Sequence, residues 1–499
     1  MNIKKAKEQI INTVKAYLAK DELGRYMIPQ HKQRPVFLMG PPGIGKTEIM
    51  SQIASELGIG LLSYSMTHHT RQSALGLPVI KKNEYKGNVF DVSEYTMSEI
   101  LASVYSLMNK SGVENGILFL DEINCISETL MPIMLQFLQY KVFGGHKLPE
   151  GWIVVTAGNP PEYNNSVREF DIVTMDRMKL IEASPDLNVW KEYAYSGGIH
   201  GAVLTYLEIK PQNFYKIESA AGGKRFVTAR GWDDLSRILT VYERLGIKPD
   251  KELMQQYIHN DTIADDFAIY YELYDKYKSD YKVSQILSGD ADSEIKTRTA
   301  EARFDERYSL LGLLLEALNS EVRTVLDRDE LLTELKTAVS ESKEHMDTVS
   351  FFAGKAEECR KERERLSESG GLSPKREEML ISMTTAYESM RSADDPSAMF
   401  MSEVGSFKRL VSAAKEHFSN IFAFCEDVFG SGQEILILVT ELAADPLTAR
   451  FISAYGCPEY HKYDKELMFY ERRIELINEI EKVSDSEVPP EKQGTTGNN

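Results

Sequence analysis

The chain opens with short unbroken apolar runs set between amphipathic stretches, and turns helically periodic further on. The runs at 36–39, 60–64, 116–120 and 152–158 are too short for helices and lack apolar/polar alternation, so they predict strands buried on both faces of a parallel sheet. Between them, 48–57, 96–109 and 128–140 carry apolar residues at helical spacing. An earlier helix places Ile3, Ile10, Ile11, Val14, Tyr17 and Leu18 near one face. Two small hairpins interrupt the alternation. The first joins 76–80 to 85–92; the second joins 141–143 to 146–148 through Gly144-Gly145, a pair suited to positive φ. Residues 176–182 run into a last core strand. Strands alternating with helices predict an α/β fold built on a parallel sheet.

Beyond Ser184 the pattern changes to helices at 186–195, 200–207 and 232–245, separated by loops with Gly-Gly at 197–198 and 222–223. The nearly unbroken apolar stretch 310–318 predicts a helix buried in a bundle. Residues 328–346 and 355–368 carry charge at helical spacing, which reads as solvated helix faces or a helical hairpin, with Gly370-Gly371 as a break. Further helices are predicted at 433–444 and 468–483; the segment 484–499 lacks apolar content and is expected to be disordered. The expected organisation is therefore an N-terminal helix and connector (1–33), an αβ core (34–183), a helical lid (184–280), a C-terminal helical domain (281–483) and a tail (484–499).

Composition narrows the function classes. With 499 residues, 42% of them hydrophobic and 27% charged, the chain has ample material for packed cores. A net charge of −18 and a pI near 5.2 argue against nonspecific binding to nucleic acid or anionic membranes. No apolar run approaches the roughly 20 residues that span a bilayer. The lysine-rich start has no uninterrupted apolar core or cleavage site, so it does not read as a signal peptide. Cys125, Cys359, Cys425 and Cys457 are scattered without metal-ligand spacing and read as thiols of a reducing cytoplasm.

The candidate chemistry starts directly after the first strand. Gly40-Pro41-Pro42-Gly43-Ile44-Gly45-Lys46-Thr47 fits G-x-x-x-x-G-K-[ST], a phosphate-binding loop between strand and helix. Small glycines let backbone N–H groups face phosphate oxygens, and the following helix adds its positive end. Lys46 would neutralise the outer phosphates, and the Thr47 hydroxyl would sit on Mg²⁺. The strand at 116–120 ends in Asp121 and Glu122, at the sheet edge where ligands collect in parallel α/β folds. Asp121 would hold the hydrated Mg²⁺ and Glu122 would act as general base. Asn159, ending the next strand, lies at the same edge, where its amide could hold the attacking water. Arg177 precedes the last strand and Arg230 opens a lid helix, from which an arginine can reach a γ-phosphate.

Taken together, these residues resemble an AAA+ ATPase of the MoxR-like group, related to dynein-type modules, over roughly residues 30–245. The points of match are the 40–47 loop, Gly76-Leu77-Pro78, Leu120-Asp121-Glu122-Ile123-Asn124, Gly158-Asn159-Pro160, Met175-Asp176-Arg177 and Arg230-Gly231-Trp232, in the family's order. The resemblance implies a P-loop AAA+ core with an all-α lid, followed here by a C-terminal α-helical extension. It casts Lys46 and Thr47 as the Walker A pair, Asp121 and Glu122 as the Walker B pair, Asn159 as sensor 1, Arg177 as arginine finger and Arg230 as sensor 2. Arg168 is the alternative finger. Met178 and Ala229 stand where the family often has Phe and Pro. The hairpins at 72–93 and 141–148 match insertions that face a ring's pore. By the same resemblance the chain would bind ATP with Mg²⁺ and assemble as a homo-oligomeric ring, expected to be a hexamer, because an arginine facing the neighbour leaves each site incomplete alone. A partner with a von Willebrand factor A (VWA) domain and a protein client are further expectations, for a chaperone-like remodelling role. The competing classes are a nucleic-acid motor like the nucleotide-driven subunit of a restriction complex, a small-molecule kinase, and a non-hydrolysing nucleotide switch. The acidic balance, the 159/177/230 series and the intact Glu122 argue against these in turn.

Overall fold

In the computed structural model Val36–Met39 (β1) lies inside a parallel sheet, and its residues alternate between two separate cores. The structure describes residues 1–465 apart from 87, 164–166, 221, 222, 346 and 431. The helix expected at 468–483 and the tail at 484–499 lie outside the described residues.

Ile3–Leu18 (α1) precedes β1 and Lys46–Leu57 (α2) follows it. Next come Gly60–Ser65 (β2) and the short helix Arg71–Leu75 (α3). Pro78–Tyr85 (β3) and Asn88–Tyr95 (β4) pair as an antiparallel hairpin. Glu99–Ser111 (α4) is capped by the Ser98 side chain, and Gly116–Asp121 (β5) returns to the sheet. Met131–Tyr140 (α5), the small hairpin Val142–Phe143 (β6) and His146–Lys147 (β7), and Trp152–Gly158 (β8) follow. Ile172–Met175 (α6) leads to Lys179–Glu182 (β9). Among the described residues, the central sheet has five strands, all parallel, in the order β2-β5-β8-β1-β9.

The alternation of side chains across the strands makes the sheet the middle of three layers. Val36, Leu38, Ile117, Phe119, Ile153 and Val155 pack with α1 and α2 on one face. Phe37, Leu118, Leu120 and Val154 pack with α4 and α5 on the other. Each fully buried aromatic or aliphatic side chain of this kind contributes about 1.5–3 kcal/mol. Lys141 caps the C-terminus of α5 in a left-handed conformation, φ +58°, and is buried between helix and hairpin. Burial pushes its amine down to about 7, and it donates to the Leu138 carbonyl.

Leu187–Gly197 (α7) and Gly201–Ile209 (α8) begin the helical section. Instead of the expected loop, Lys216–Ala220 (β10) and Gly223–Val227 (β11) then form a second exposed hairpin. Ala229–Leu245 (α9), Lys251–Tyr257 (α10) and Asp261–Asp280 (α11) complete the section. Trp232 is fully buried there, its ring 5.6 Å from Tyr206 and 5.2 Å from Phe267.

Val283–Leu287 (α12), Ser293–Glu301 (α13), Phe304–Ser342 (α14), Thr348–Glu368 (α15), Pro374–Arg391 (α16), Pro396–Phe429 (α17), Gln433–Ala444 (α18) and Pro446–Tyr455 (α19) make up the remainder. The chain divides into two compact units, the first comprising Met1–Tyr270 with Asp327–Phe407 and the second the rest. In the first unit, Leu331, Leu335 and Val339 of α14 bury against Phe352, Leu380 and Tyr387 of the α15/α16 hairpin. The turn of that hairpin meets the outer edge of β2, where the Leu61 N–H donates to the Ser369 carbonyl at 2.9 Å. In the second unit, Phe418 stacks on Phe451 at 5.3 Å and Arg307 pairs with Glu434 at 2.9 Å.

Candidate nucleotide site

The C-terminal ends of β1, β5 and β8 place three loops side by side. Gly45 starts α2 in a left-handed conformation, φ +91°, and no side chain caps the helix, so its first N–H groups are open to an anion. Lys46 is buried beneath the loop. Its ammonium donates to the Gly40 carbonyl at 2.7 Å, the Pro41 carbonyl at 2.9 Å and the Asn159 Oδ1 at 2.8 Å. Thr47 Oγ1 donates to Asp121 Oδ2 at 2.9 Å, while Asp121 Oδ1 accepts from the Glu122 N–H at 2.9 Å. Ile44 is the loop's anchor in the apolar core.

Glu122 holds a left-handed conformation, φ +55°, which costs a non-glycine residue about 1–3 kcal/mol. Its carboxylate accepts from Ser65 Oγ at 3.1 Å and Thr67 Oγ1 at 3.3 Å. Ser65 stands opposite Asp121 in the β2/β5 register, so the end of β2 belongs to the same cluster as the acids. Neither hydroxyl was singled out in the sequence; the rule that ligands gather at strand ends would have found Ser65.

The helical section reaches the loop at several points. Tyr215 donates to the Pro42 carbonyl at 2.8 Å, and the Arg230 N–H donates to the Gly43 carbonyl at 3.2 Å. Gly43, at φ +74°, lies so close to Thr228 that a Cβ there would fall 2.9 Å from the Thr228 side chain. Lys224 on β11 donates to the Glu162 carbonyl at 2.6 Å, in the loop after Asn159. The Arg230 side chain is exposed and its charge is felt at Lys46. The structure thus brings together Gly40 to Thr47, Asp121, Glu122, Asn159 and Arg230. Arg177 stands apart: its exposed guanidinium donates to Gln139 at the end of α5 at 2.7 Å. Among the described residues it makes no hydrogen bond or ion pair with the cluster. Arg168 likewise pairs with Glu128 at 2.8 Å.

Residues 36–173 match the family model AAA, the ATPase family associated with various cellular activities. The match supports an AAA+ ATPase. No curated protein matches the chain. An AAA module implies nucleotide binding, typically with Mg²⁺, and such proteins commonly assemble as rings. The residues fit that chemistry: an uncapped helix N-terminus and a buried ammonium suit phosphates, and the Thr47–Asp121 pair offers hard oxygen donors to a divalent cation. No described helix is long and apolar enough to cross a membrane.

Burial holds the Lys46 amine down to about 8, with Asp121 and Glu122 opposing the shift and Arg230 adding to it. Phosphate oxygens favour the charged form, so nucleotide bound at this loop would raise the amine's pKa. Below pH 8 the free site is already protonated and affinity is flat; above it, binding must recruit a proton. Nucleotide affinity is expected to fall as pH rises above about 8, by up to about tenfold per pH unit. Fluorescent-nucleotide titrations at stepped pH check this, and an affinity constant over that window would contradict it.

Proposed function

We propose that the chain is an ATP-hydrolysing AAA+ ring protein of the MoxR-like group, a remodelling ATPase acting on a protein client with a VWA-domain partner. The observation that carries the reading is the meeting of Lys46, Thr47, Asp121, Glu122 and Asn159 at one sheet edge, while Arg177 is turned to Gln139. In this reading the loop from Gly43 to Thr47 would cradle the phosphates of ATP, and Thr47 with Asp121 would hold Mg²⁺. The cation supplies charge neutralisation on the phosphates. Glu122 draws the proton from water once its carboxylate leaves Ser65 and Thr67, and Asn159 orients that water. Arg230 contributes from the lid, and Arg177 completes the site of the next copy.

The MoxR-like assignment draws support from the two hairpins. His146 Nε2 lies 3.0 Å from the Tyr95 carbonyl, so β6–β7 and β3–β4 touch and would move together. Val79, Ile80, Val89 and Phe90 are exposed on the larger hairpin, as contact with an unfolded or loosely held client requires. An oligomer-dependent site makes a direct prediction. Specific phosphate-release activity is expected to drop as the protein is diluted to monomer; activity that stays flat into the monomeric range would sink the ring reading.

A further inference from the structure

We propose that Asn124 is a positioning residue that fixes Asn159 against Lys46 and couples it to the turn carrying Glu122; this rests on the ATPase reading above. The sheet ladder gives the reason such a residue is needed. Pairing between β5 and β8 ends at Leu120 and Thr156, short of both Glu122 and Asn159. On the β1 side, the Gly40 N–H donates to the Gly158 carbonyl at 3.2 Å. On the β5 side, the Asn124 side chain takes over where the ladder stops. Its Nδ2 donates to the Asn159 carbonyl at 2.8 Å.

Asn124 is itself tightly held. It lies in the single helical turn Ile123–Cys125 that begins at Glu122, is 3% exposed, and its carbonyl accepts from the Arg168 N–H at 2.9 Å. Its Oδ1 is buried without a hydrogen-bond partner among the described residues. That oxygen occupies the space a side chain at Gly158 would need, since a Cβ there would come within 2.4 Å of it. A buried acceptor left unpaired is unfavourable, and its retention calls for a reason. Here the amide's other end supplies one. The chain of contacts runs from the Glu122 turn through Asn124 to Asn159 and on to the Lys46 ammonium. A shift of Asn124 would therefore move the water-orienting amide relative to the general base, while Lys46 keeps its bonds to the Gly40 and Pro41 carbonyls of the phosphate loop.

The test uses full-length Asn124→Ala, Asn124→Asp and Asn124→Ser proteins. Asp keeps the shape but replaces the donor with an acceptor facing the Asn159 carbonyl. The expected result is a fall in kcat of about 10²-fold for Ala and Asp, as for a displacement near 1 Å. The ATP concentration at half-saturation should stay within about twofold, which is the mark of an interaction made in the transition state. Adding Asn124→Ala to Asn159→Ala should cost little more than Asn159→Ala alone, whereas with Arg230→Ala the two losses should multiply. Ser, small and still a donor, should fold and fall between wild type and Ala. A wild type that releases no phosphate would overturn both the ATPase reading and this inference. A wild type that turns over, with folded Asn124 variants that keep its kcat or multiply in full with Asn159→Ala, would overturn this inference alone.

Discussion

Exchanging Glu122 for Gln is expected to leave ATP binding within about twofold of wild type while cutting phosphate release by about 10²–10⁴-fold, the range for loss of a general base. The substitution preserves shape, and the amide oxygen can still accept from Ser65 and Thr67, so the left-handed turn at Glu122 has no reason to move. Lys46 and Thr47, the residues that would meet the phosphates, lie at the start of α2 and keep their own bonds to Pro41 and Asp121. Binding measured with a fluorescent nucleotide, beside phosphate release on the same sample, separates the two effects. Wild-type turnover in the Gln form would show that Glu122 is not the base. On the ring reading proposed above, the Gln form with ATP should also hold the copies together, and a pull-down on it tests for the proposed partner.

A second large effect belongs to Arg177. Its change to Ala removes a hydrogen bond between exposed groups, worth about 1 kcal/mol or less, so the variant should fold normally. Turnover is nonetheless expected to fall by about 10³–10⁵-fold, the contribution of an arginine that meets charge developing on the transferred phosphoryl group. Mixing tells whether that arginine acts on a neighbour. Equal amounts of the Arg177→Ala and Glu122→Gln proteins each carry one intact half of the site. If the halves meet between copies, about one interface in four pairs an intact Glu122 with an intact Arg177, and activity should recover in that proportion. Mixed samples as inactive as either parent would argue that Arg177 serves its own chain or none.

Much of the core was legible because its signals are local. The apolar runs of β1, β5 and β8 and the glycines of the 40–47 loop each state their own geometry. The polar residues at strand ends converge because parallel strands must finish on one edge. The contacts that organise the site were not legible, since they join distant positions by single hydrogen bonds. Glu122 meets Ser65, Asn159 meets Asn124, and Pro42 meets Tyr215, each across dozens of residues or more. The β10–β11 hairpin was missed because its exposed, charged strands need no apolar alternation. Lys141 was hidden for the opposite reason: nothing in a hairpin sequence announces that a lysine will be enclosed. In α14 the charge pattern at 328–346 marks the solvated face that Glu334 and Lys336 occupy, while which partner Leu331, Leu335 and Val339 pack against on the other face was not legible.

The hydrogen bond from Leu61 to Ser369 has a bearing on how the protein is made. A nascent chain emerging from the ribosome completes all five sheet strands long before the α15/α16 turn exists. Until then the outer edge of β2 is an open template for pairing with another chain. Because contacts of such long sequence separation form slowly, synthesis leaves an interval in which the ATPase half is built but its sheet is still unsealed. A fragment stopping at the end of α11 would live in that interval permanently, and a shorter, simpler-looking enzyme would be the harder one to keep in solution.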